Sequence, residues 1–510
     1  MRFLLLCRLV TCIAIGLTVA ELRAQQIAPQ RRPNVLLLVA DDMNWDSPGC
    51  FGGVAPDVTP HIDRLASQGM RFWHAHVNIS VCTPSRSVML TGLYPQHNGA
   101  EGFQRIRPGT ATLPAILSNA GYLCGTIGKP LRQQELFHWS VNYRWQGTGD
   151  EDRWGRDPDI YRRFAAKFFA MAKTSQQPFF LMASSHDPHR PFAKYRRQGD
   201  QQREHFEAAR PSRTYTAREV RVPNFLPDIP EVRQEIAAYA TAVRRLDDMV
   251  GAVLQELDTA QLNQDTIVIF LSDHGMPFPG AKFNCYVDST RSPWIVRWPR
   301  QVKAGTNDRA HILSTVDLLP TILQAVGLPA GKPTDGRSFL PVLRGGSQPD
   351  RDHVFTQFNH IHGADALPMR AVQTKSALYV FNPWSNGKRT FRRLGGGAFQ
   401  GMQRLATTDE GAAERIRYLR FRRTEELYDL RTDPHCLNNC LNEEENQETL
   451  NALQHALRGW MVQVGDPALT AFDNREEPAA LERFMREYAA RAAKEVAELQ
   501  PYEKAQRYTF

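Results

Sequence analysis

The sequence predicts an α/β protein: a doubly wound, mostly parallel sheet joined to a smaller C-terminal subdomain built on an antiparallel sheet. Three observations carry this. Short continuous apolar runs alternate with segments of helical periodicity through the first two thirds of the chain, the pattern of strands buried on both faces by crossover helices. Polar clusters follow three of those runs: Asp41-Asp42, His186-Asp187-Pro188-His189 and Ser272-Asp273-His274-Gly275. Ligands of doubly wound sheets gather just beyond the carboxyl ends of strands. After about residue 345, strand-like runs follow one another without helices between them.

The first strand is Asn34 to Ala40, Asn-Val-Leu-Leu-Leu-Val-Ala, too uniformly apolar to have a wet face. Thr59-Pro60 starts a helix, with Thr59 as N-cap, Pro60 in the first turn and an apolar stripe of Ile62, Leu65 and Ala66. A short helix runs from about Thr112 to Ala120 and stops at Gly121. Strand Tyr122 to Ile127 follows. A helix near Asp159 to Lys173 precedes strand Phe179 to Ala183. From Pro230 to Leu257, Val232, Ile236, Tyr239, Val243, Leu246, Val250 and Leu254 recur at helical spacing. Thr266 to Leu271 is the next buried strand. Val354 to Phe358, Met369 to Thr374 and Ala377 to Asn382 predict the antiparallel sheet. The tail, Glu476 to Leu499, predicts a charged helix whose Leu481, Phe484, Met485, Tyr488 and Ala492 pack back on the body.

Composition sets the limits. The chain has 510 residues, 42% hydrophobic and 23% charged, with 34 Gly and 33 Pro. That is globular usage and excludes a mainly disordered chain, a coiled coil and a collagen. No repeat of solenoid or propeller period is present. The net charge of +8 suits a polyanionic substrate without requiring one, and nothing points to nucleic acid. Arg2 and Arg8 flank or precede the apolar run Leu9 to Ala20, and Glu21-Leu22-Arg23-Ala24 follows. This reads as a secretory signal peptide cut near Ala24, the run being shorter than the ~20 residues of a membrane span. Cys7 and Cys12 leave with it. Cys50, Cys82, Cys124, Cys285, Cys436 and Cys440 remain, which is no disulfide framework, although Cys436 and Cys440 are close enough in sequence to pair.

The polar clusters carry the chemistry. Adjacent carboxylates such as Asp41 and Asp42 repel unless a cation or proton lies between them; a solvated turn is the plain alternative. In Cys82-Thr83-Pro84-Ser85-Arg86, Pro84 opens a helix and sets Cys82 at its N-terminus, where orphan N–H groups favour an anion. Alone, a cysteine of an exported chain reads better as a disulfide partner or core filler. Lys282 lies eight residues beyond His274.

The run Cys82-x-Pro84-Ser85-Arg86-x-x-x-Leu90-Thr91-Gly92 resembles the signature of the type I sulfatases of the alkaline phosphatase superfamily, and it matches every position. Asp41, Asp42, Asp273 and Lys282 stand where that pattern expects them. The similarity runs from about Asn34 to Asp466 and includes Glu426-Leu427-Tyr428-Asp429. Within the family it is closest to the heparan N-sulfatase (sulfamidase) group, through His186-Asp187-Pro188-His189-Arg190, Val222-Pro223-Asn224-Phe225-Leu226-Pro227, Pro277-Phe278-Pro279 and Pro368-Met369-Arg370-Ala371-Val372.

The resemblance implies an alkaline phosphatase-like fold, with a catalytic domain over residues 31–345 and a C-terminal α+β subdomain over 346–510, behind the signal peptide of residues 1–24. It implies that Cys82 is oxidised to Cα-formylglycine by a formylglycine-generating or anaerobic sulfatase-maturating enzyme. Asp41, Asp42, Asp273 and His274 would hold one divalent ion, with residue 82 as a further ligand. Carboxylate ligation favours Ca²⁺ or Mg²⁺, while the His274 imidazole suits transition metals better. Arg86 would hold the nucleophile, Lys129 and Lys282 would bind sulfate oxygens, and His189 would be the general acid, with His186 its nearest competitor. His186, His360, His362 and Arg370 would border the pocket for a sulfated carbohydrate. The enzyme would be exported, periplasmic or extracellular, with no integral span after signal removal. One departure stands out: Gly128-Lys129-Pro130-Leu131 has Leu131 where the family carries His. Two other readings stay open, a phosphodiester or phosphonate ester hydrolase of the same superfamily and a catalytically impaired sulfated-glycan-binding protein. Lys388-Arg389, Arg392-Arg393 and the five arginines of Arg415 to Arg423 read either as glycan contacts or as a solvated basic surface. The sequon Asn78-Ile79-Ser80 abuts the nucleophile segment and reads as incidental.

Overall fold

β1 (Asn34–Asp41) is buried along its whole length. It pairs in parallel with β5 (Phe179–Pro188) on one side and β6 (Thr266–Ser272) on the other. Its odd and even residues serve different cores. Leu36, Leu38 and Ala40 pack under the helices Pro60–Ser67, Pro158–Ser175 and Pro230–Thr259. Val35, Leu37 and Val39 pack with the helices Leu113–Asn119 and Leu318–Ala325 on the opposite face. Two dry faces are the physical reason for the unbroken apolar run.

The computed structural model describes residues 32–129, 133–143, 154–192, 209–329, 331, 333–361 and 366–507. The expected signal peptide, Leu131 and His362 lie outside the described residues. The main sheet has eight strands in the order β4-β3-β5-β1-β6-β7-β2-β8. The remaining members are β2 (Met70–His76), β3 (Leu123–Gly128), β4 (Val141–Tyr143), β7 (Trp294–Arg297) and β8 (Thr306–Ser314). β7 alone runs against its neighbours. A second sheet, β12-β11-β10-β9, is antiparallel throughout. Its strands are β9 (His353–Phe358), β10 (Met369–Thr374), β11 (Ala377–Phe381) and β12 (Glu425–Asp429). The helix Gln447–Gln463 and the first turns of Pro478–Arg507 cover it through Leu453, Leu457, Trp460, Leu481 and Met485. The two sheets touch where Gln357 N donates to Asn78 O at 2.8 Å. Asn78 is buried there and donates to Phe355 O, so its sequon is closed in the fold.

The fold class agrees with the sequence expectation, and the local differences have physical causes. β2, β4, β7, β8 and β12 carry no clean period: β2 has Arg71, His74 and His76 among apolar residues, and half of β8 is solvent-facing. Thr59 occupies the N-cap position of its helix, yet its side chain does not cap it. Asp247 of the long helix does, accepting from His61 N at 3.1 Å and Ile62 N at 2.8 Å. Cys436 and Cys440 do not pair. Both are free, and the Cys440 thiol donates to Leu427 O instead.

Gly128 closes β3 at φ +87°, and a methyl group there would collide with the Tyr161 hydroxyl and the Ser184 carbonyl. Gly128→Ala is therefore expected to lower stability by at least about 2 kcal/mol, from left-handed strain plus overpacking, read as a lower denaturation midpoint.

Candidate active site

Four parallel strands, β1, β3, β5 and β6, deliver polar groups at their carboxyl ends. Asp41 closes β1 and Asp42 follows it at φ +68°, a left-handed conformation that Asp tolerates better than most residues. Asp42 N donates to Asp273 Oδ1 at 3.2 Å, which joins the turn after β1 to the turn after β6. The result is a buried cluster of Asp41, Asp42, Asp273 and His274, in which one ligand atom from each lies within 4.8 Å of all the others.

Three buried carboxylates at one point need countercharge, and each has its own cation. Lys129, the residue after β3, pairs with Asp41. Lys282 Nζ is 2.6 Å from Asp42 Oδ1, and Arg86 Nε is 2.9 Å from Asp273 Oδ2. Burial alone would raise the Asp41 carboxyl, but Lys129, His189, Arg86 and Lys282 hold it well below the usual carboxylate range. Burial opposes the charge on Lys282 as well, and Asp42 and Cys82 keep its ammonium above the ordinary lysine value. Pairing is incomplete. Asp41 Oδ1, Asp42 Oδ2 and His274 Nε2 are buried with no hydrogen-bond partner. These unshared lone pairs come from carboxylates and an imidazole, donors that fit one divalent cation.

Cys82 is the first residue of the helix Cys82–Thr91. Pro84 sits in its first turn, where a missing N–H loses no helical bond, and Gly92 ends it at φ +64°. Ser85 Oγ donates to Asp273 O at 2.6 Å and ties this helix to the end of β6. Burial pushes the Cys82 thiol up, but Lys129, the neighbouring His274 and Lys282 outweigh it and hold the thiol below its ordinary value.

β5 brings the next group. His189 Nε2 is 3.9 Å from Asp42 Oδ2, with the side chain partly open to solvent. Burial lowers its pKa below that of a free imidazole, Asp42 opposing. His186 lies against Gly155, and burial and then Arg156 keep it neutral. Asp187 between them is a buried anchor. It accepts from Arg245 Nε at 2.6 Å and Nη2 at 2.8 Å and pairs with Arg156, which also donates to His189 O.

Segments on either side of β12 reach the same site. Asn284 Nδ2 donates to Ala281 O and Lys282 O, its Oδ1 accepts from Arg422 Nη2 at 2.7 Å, and Arg422 Nη1 donates to Tyr286 Oη. Asn44 N donates to Tyr239 Oη at 2.9 Å, and Asn44 Nδ2 reaches Asp288, itself 2.7 Å from His435 Nδ1.

The structure thus brings Asp41, Asp42, Cys82, Arg86, Lys129, His189, Asp273, His274 and Lys282 into one centre, with His186 beside it. The contacts of Arg370 and His360 lie with groups outside that centre. Arg370 is buried on Asp466 at 2.5 Å and on Asn359 at 2.8 Å, and His360 meets Gln104 at 2.8 Å and faces Glu495 and Tyr488. Sequence reasoning missed Asn44, Arg156, Tyr239, Arg245 and Asn284 as parts of the site, and it read Arg422, among the arginines of Arg415 to Arg423, as glycan contact or solvated surface, whereas it is buried against Asn284 and Tyr286. Only Asn284 and Asn44 stand near a recognised motif; the others approach from distant segments.

A site of this construction on a doubly wound sheet defines a hydrolase of anionic esters. The profile of the Sulfatase family matches residues 33–328, and that of the N-sulphoglucosamine sulphohydrolase C-terminal region matches 281–381. The chain belongs to the type I sulfatase family and is by class a sulfuric ester hydrolase. It is 32% identical to human N-sulphoglucosamine sulphohydrolase, over 92% of this chain and 96% of that protein. An ulvan-active sulfatase of Formosa agariphila is 26% identical over 88% of this chain and 77% of that one. Among solved structures, a protein in complex with its substrate D-glucosamine-2-N,6-O-disulfate superposes with a TM-score of 0.63 at 20% identity, over 86% of this chain and 99% of that chain. A 2-O GAG sulfatase superposes with a TM-score of 0.64 at 19% identity, over 88% and 96%.

Removing the charge on Asp187 leaves two buried guanidinium groups facing a neutral amide. Asp187→Asn is expected to cost about 3–5 kcal/mol, read from urea denaturation.

Proposed function

We propose that this enzyme removes sulfate from a sulfated carbohydrate, with the N-sulfate of a glucosamine residue as its foremost target. The observation that carries the reading is the placement of Cys82: a helix-terminal thiol under the influence of the Lys129 and Lys282 ammonium groups and of His274, one of four converging metal-type ligands. The names of its relatives, an N-sulphoglucosamine sulphohydrolase and a protein whose substrate is D-glucosamine-2-N,6-O-disulfate, support that target.

In this reading a maturase converts Cys82 to Cα-formylglycine, and Asp41, Asp42, Asp273 and His274 hold one Ca²⁺ or Mg²⁺. Together the cation and the hydrated aldehyde supply charge neutralisation and an oxygen nucleophile at neutral pH. The chain's own residues do the rest. Lys129 and Lys282 bind the sulfate oxygens and stabilise charge as it develops. Arg86, held by Asp273, keeps residue 82 in place. His189 gives a proton to the leaving nitrogen or oxygen, and Asp187 fixes the segment that carries it. His186 closes the wall beside it. His360 and Arg370 brace the C-terminal side of the pocket. Residues 31–345 form the catalytic domain and 346–510 the subdomain that buttresses it. The enzyme acts after export, in the periplasm or outside the cell. No helix among the described residues is long and apolar enough to cross a membrane.

Mass spectrometry of the Cys82 peptide after co-expression with a maturase should show the thiol-to-aldehyde mass change. The matured protein should release sulfate from N-sulfated glucosamine faster than from 2-O-, 3-O- or 6-O-sulfated sugars and far faster than it cleaves an aryl phosphodiester, and Cys82→Ala should abolish release. A matured protein that releases no sulfate across the panel would favour a glycan-binding role, with Leu131 as the first suspect.

His189 must be protonated to donate. Burial lowers its pKa below the ordinary 6.5, so kcat/KM should fall as pH rises toward neutrality. His189→Gln should remove that alkaline limb and lower kcat by about 10²–10⁴-fold.

A further inference from the structure

We propose that a second, non-catalytic surface of this chain grips sulfated polysaccharide: the face formed by Trp45, Arg71, Trp73, Arg291, Arg309 and Lys375. It deepens the sulfatase reading, on which its choice of ligand rests.

The geometry is specific. Along β2 and β8, Phe72 pairs with Asp308 and His74 with Ile312, so Trp73 is opposed by the three residues Arg309 to His311. Such a bulge re-aims a side chain. Here the Arg309 guanidinium lies 3.8 Å from the centroid of the Trp73 ring. Arg291 stacks 3.6 Å over Trp45, and its Nε donates to Trp73 O at 2.6 Å. The two indoles meet edge-on at 6.3 Å. Arg71 flanks Trp73 and donates to Cys50 O, and Lys375 Nζ donates to Ala310 O at 3.1 Å.

These four cations share one property: among the described residues none pairs with a carboxylate. The acids nearby are committed elsewhere, Asp46 to Arg221 and Asn44, Asp288 to His435, and Asp308 to His311. Among the described residues the Arg309 side chain makes no hydrogen bond and the Arg291 side chain uses only Nε, so their terminal nitrogens stay free for an anion. Stacking holds a planar guanidinium in a fixed plane, which suits two-pronged binding of a sulfate group. His74, within the same patch, is pushed down to about 4 by burial and then by Arg291, Lys375 and Arg309.

The ligand class follows from place. Trp45 lies three residues beyond Asp42, and Arg291 follows the turn Val287–Thr290 whose Ser289 accepts from Gly275 N, next to His274. Through Trp45 and Arg291 the face shares two segments with the loops that carry the reaction centre, and a polymer held there is tethered near it.

The test compares the full-length matured protein with Arg309→Glu/Lys375→Glu, two exposed positions outside the catalytic machinery. Binding to heparin, to fully desulfated heparin and to single-stranded DNA is measured in about 0.1 M NaCl, where charges still act over ~10 Å. Expected is at least about a tenfold loss of heparin affinity, a smaller loss for DNA, no binding of desulfated heparin by either protein, and an unchanged thermal midpoint and monosaccharide turnover. Arg309→Ala/Lys375→Ala should show a smaller loss in the same direction. Unchanged heparin affinity in a folded variant overturns the proposal, as does an equal loss for DNA. Absence of sulfate release by either protein would count against the sulfatase reading alone, because the binding comparison needs no turnover.

Discussion

Three carboxylates buried beside three cations govern the layout of this molecule. Asp41 with Lys129, Asp42 with Lys282 and Asp273 with Arg86 each join segments far apart in the chain. Moving such charges out of water is costly, and the cost is offset only where partner and hydrogen bonds are held in register. The parallel sheet supplies that register. The parallel strands β3, β5, β1 and β6 lie side by side in that order, so the groups at their carboxyl ends meet along one rim of the sheet. The apolar interior of β1 and its neighbours, dry on both faces, is the rigid base that makes the charged rim tolerable.

The pairing is deliberately short of complete in physical terms: two carboxylate oxygens and one imidazole nitrogen remain unshared in a buried place. Orphaned buried acceptors are expensive in a merely structural cluster. They make sense where a ligand completes them. The same economy applies to Cys82, whose thiol is held below its ordinary value by groups that would equally hold an anion.

The smaller sheet has a mechanical part in this. Arg422 supports the Lys282 turn through Asn284, and His435 supports the Asn44 turn through Asp288. Both residues come from beyond residue 400, so the loops beside the reaction centre are braced by a layer that contributes none of the nine central groups. In the Arg–Trp face, by contrast, cations are stacked on rings instead of paired with acids.

Much of this was legible in the residues alone. The Asn34–Ala40 run, the long helix from Pro230 and the Cys82 motif each declare themselves, because burial on two faces, helical periodicity and a proline-opened turn leave local marks. Asp41, Asp42 and Asp273 were recognisable for a related reason: chemistry at strand ends is written beside the strands, whereas Lys282, well past the end of β6, was picked out by the family resemblance. What the sequence could not show is who stands behind these groups. Arg245 and Arg156 on Asp187, Asp247 at the start of the helix Pro60–Ser67, Arg422 on Asn284 and Arg309 on Trp73 are pairings between segments with no local period linking them. Composition and spacing determine which stretches are buried and which residues can react; only the packed chain determines which charge meets which, because that depends on distances across the sheet and not along the chain.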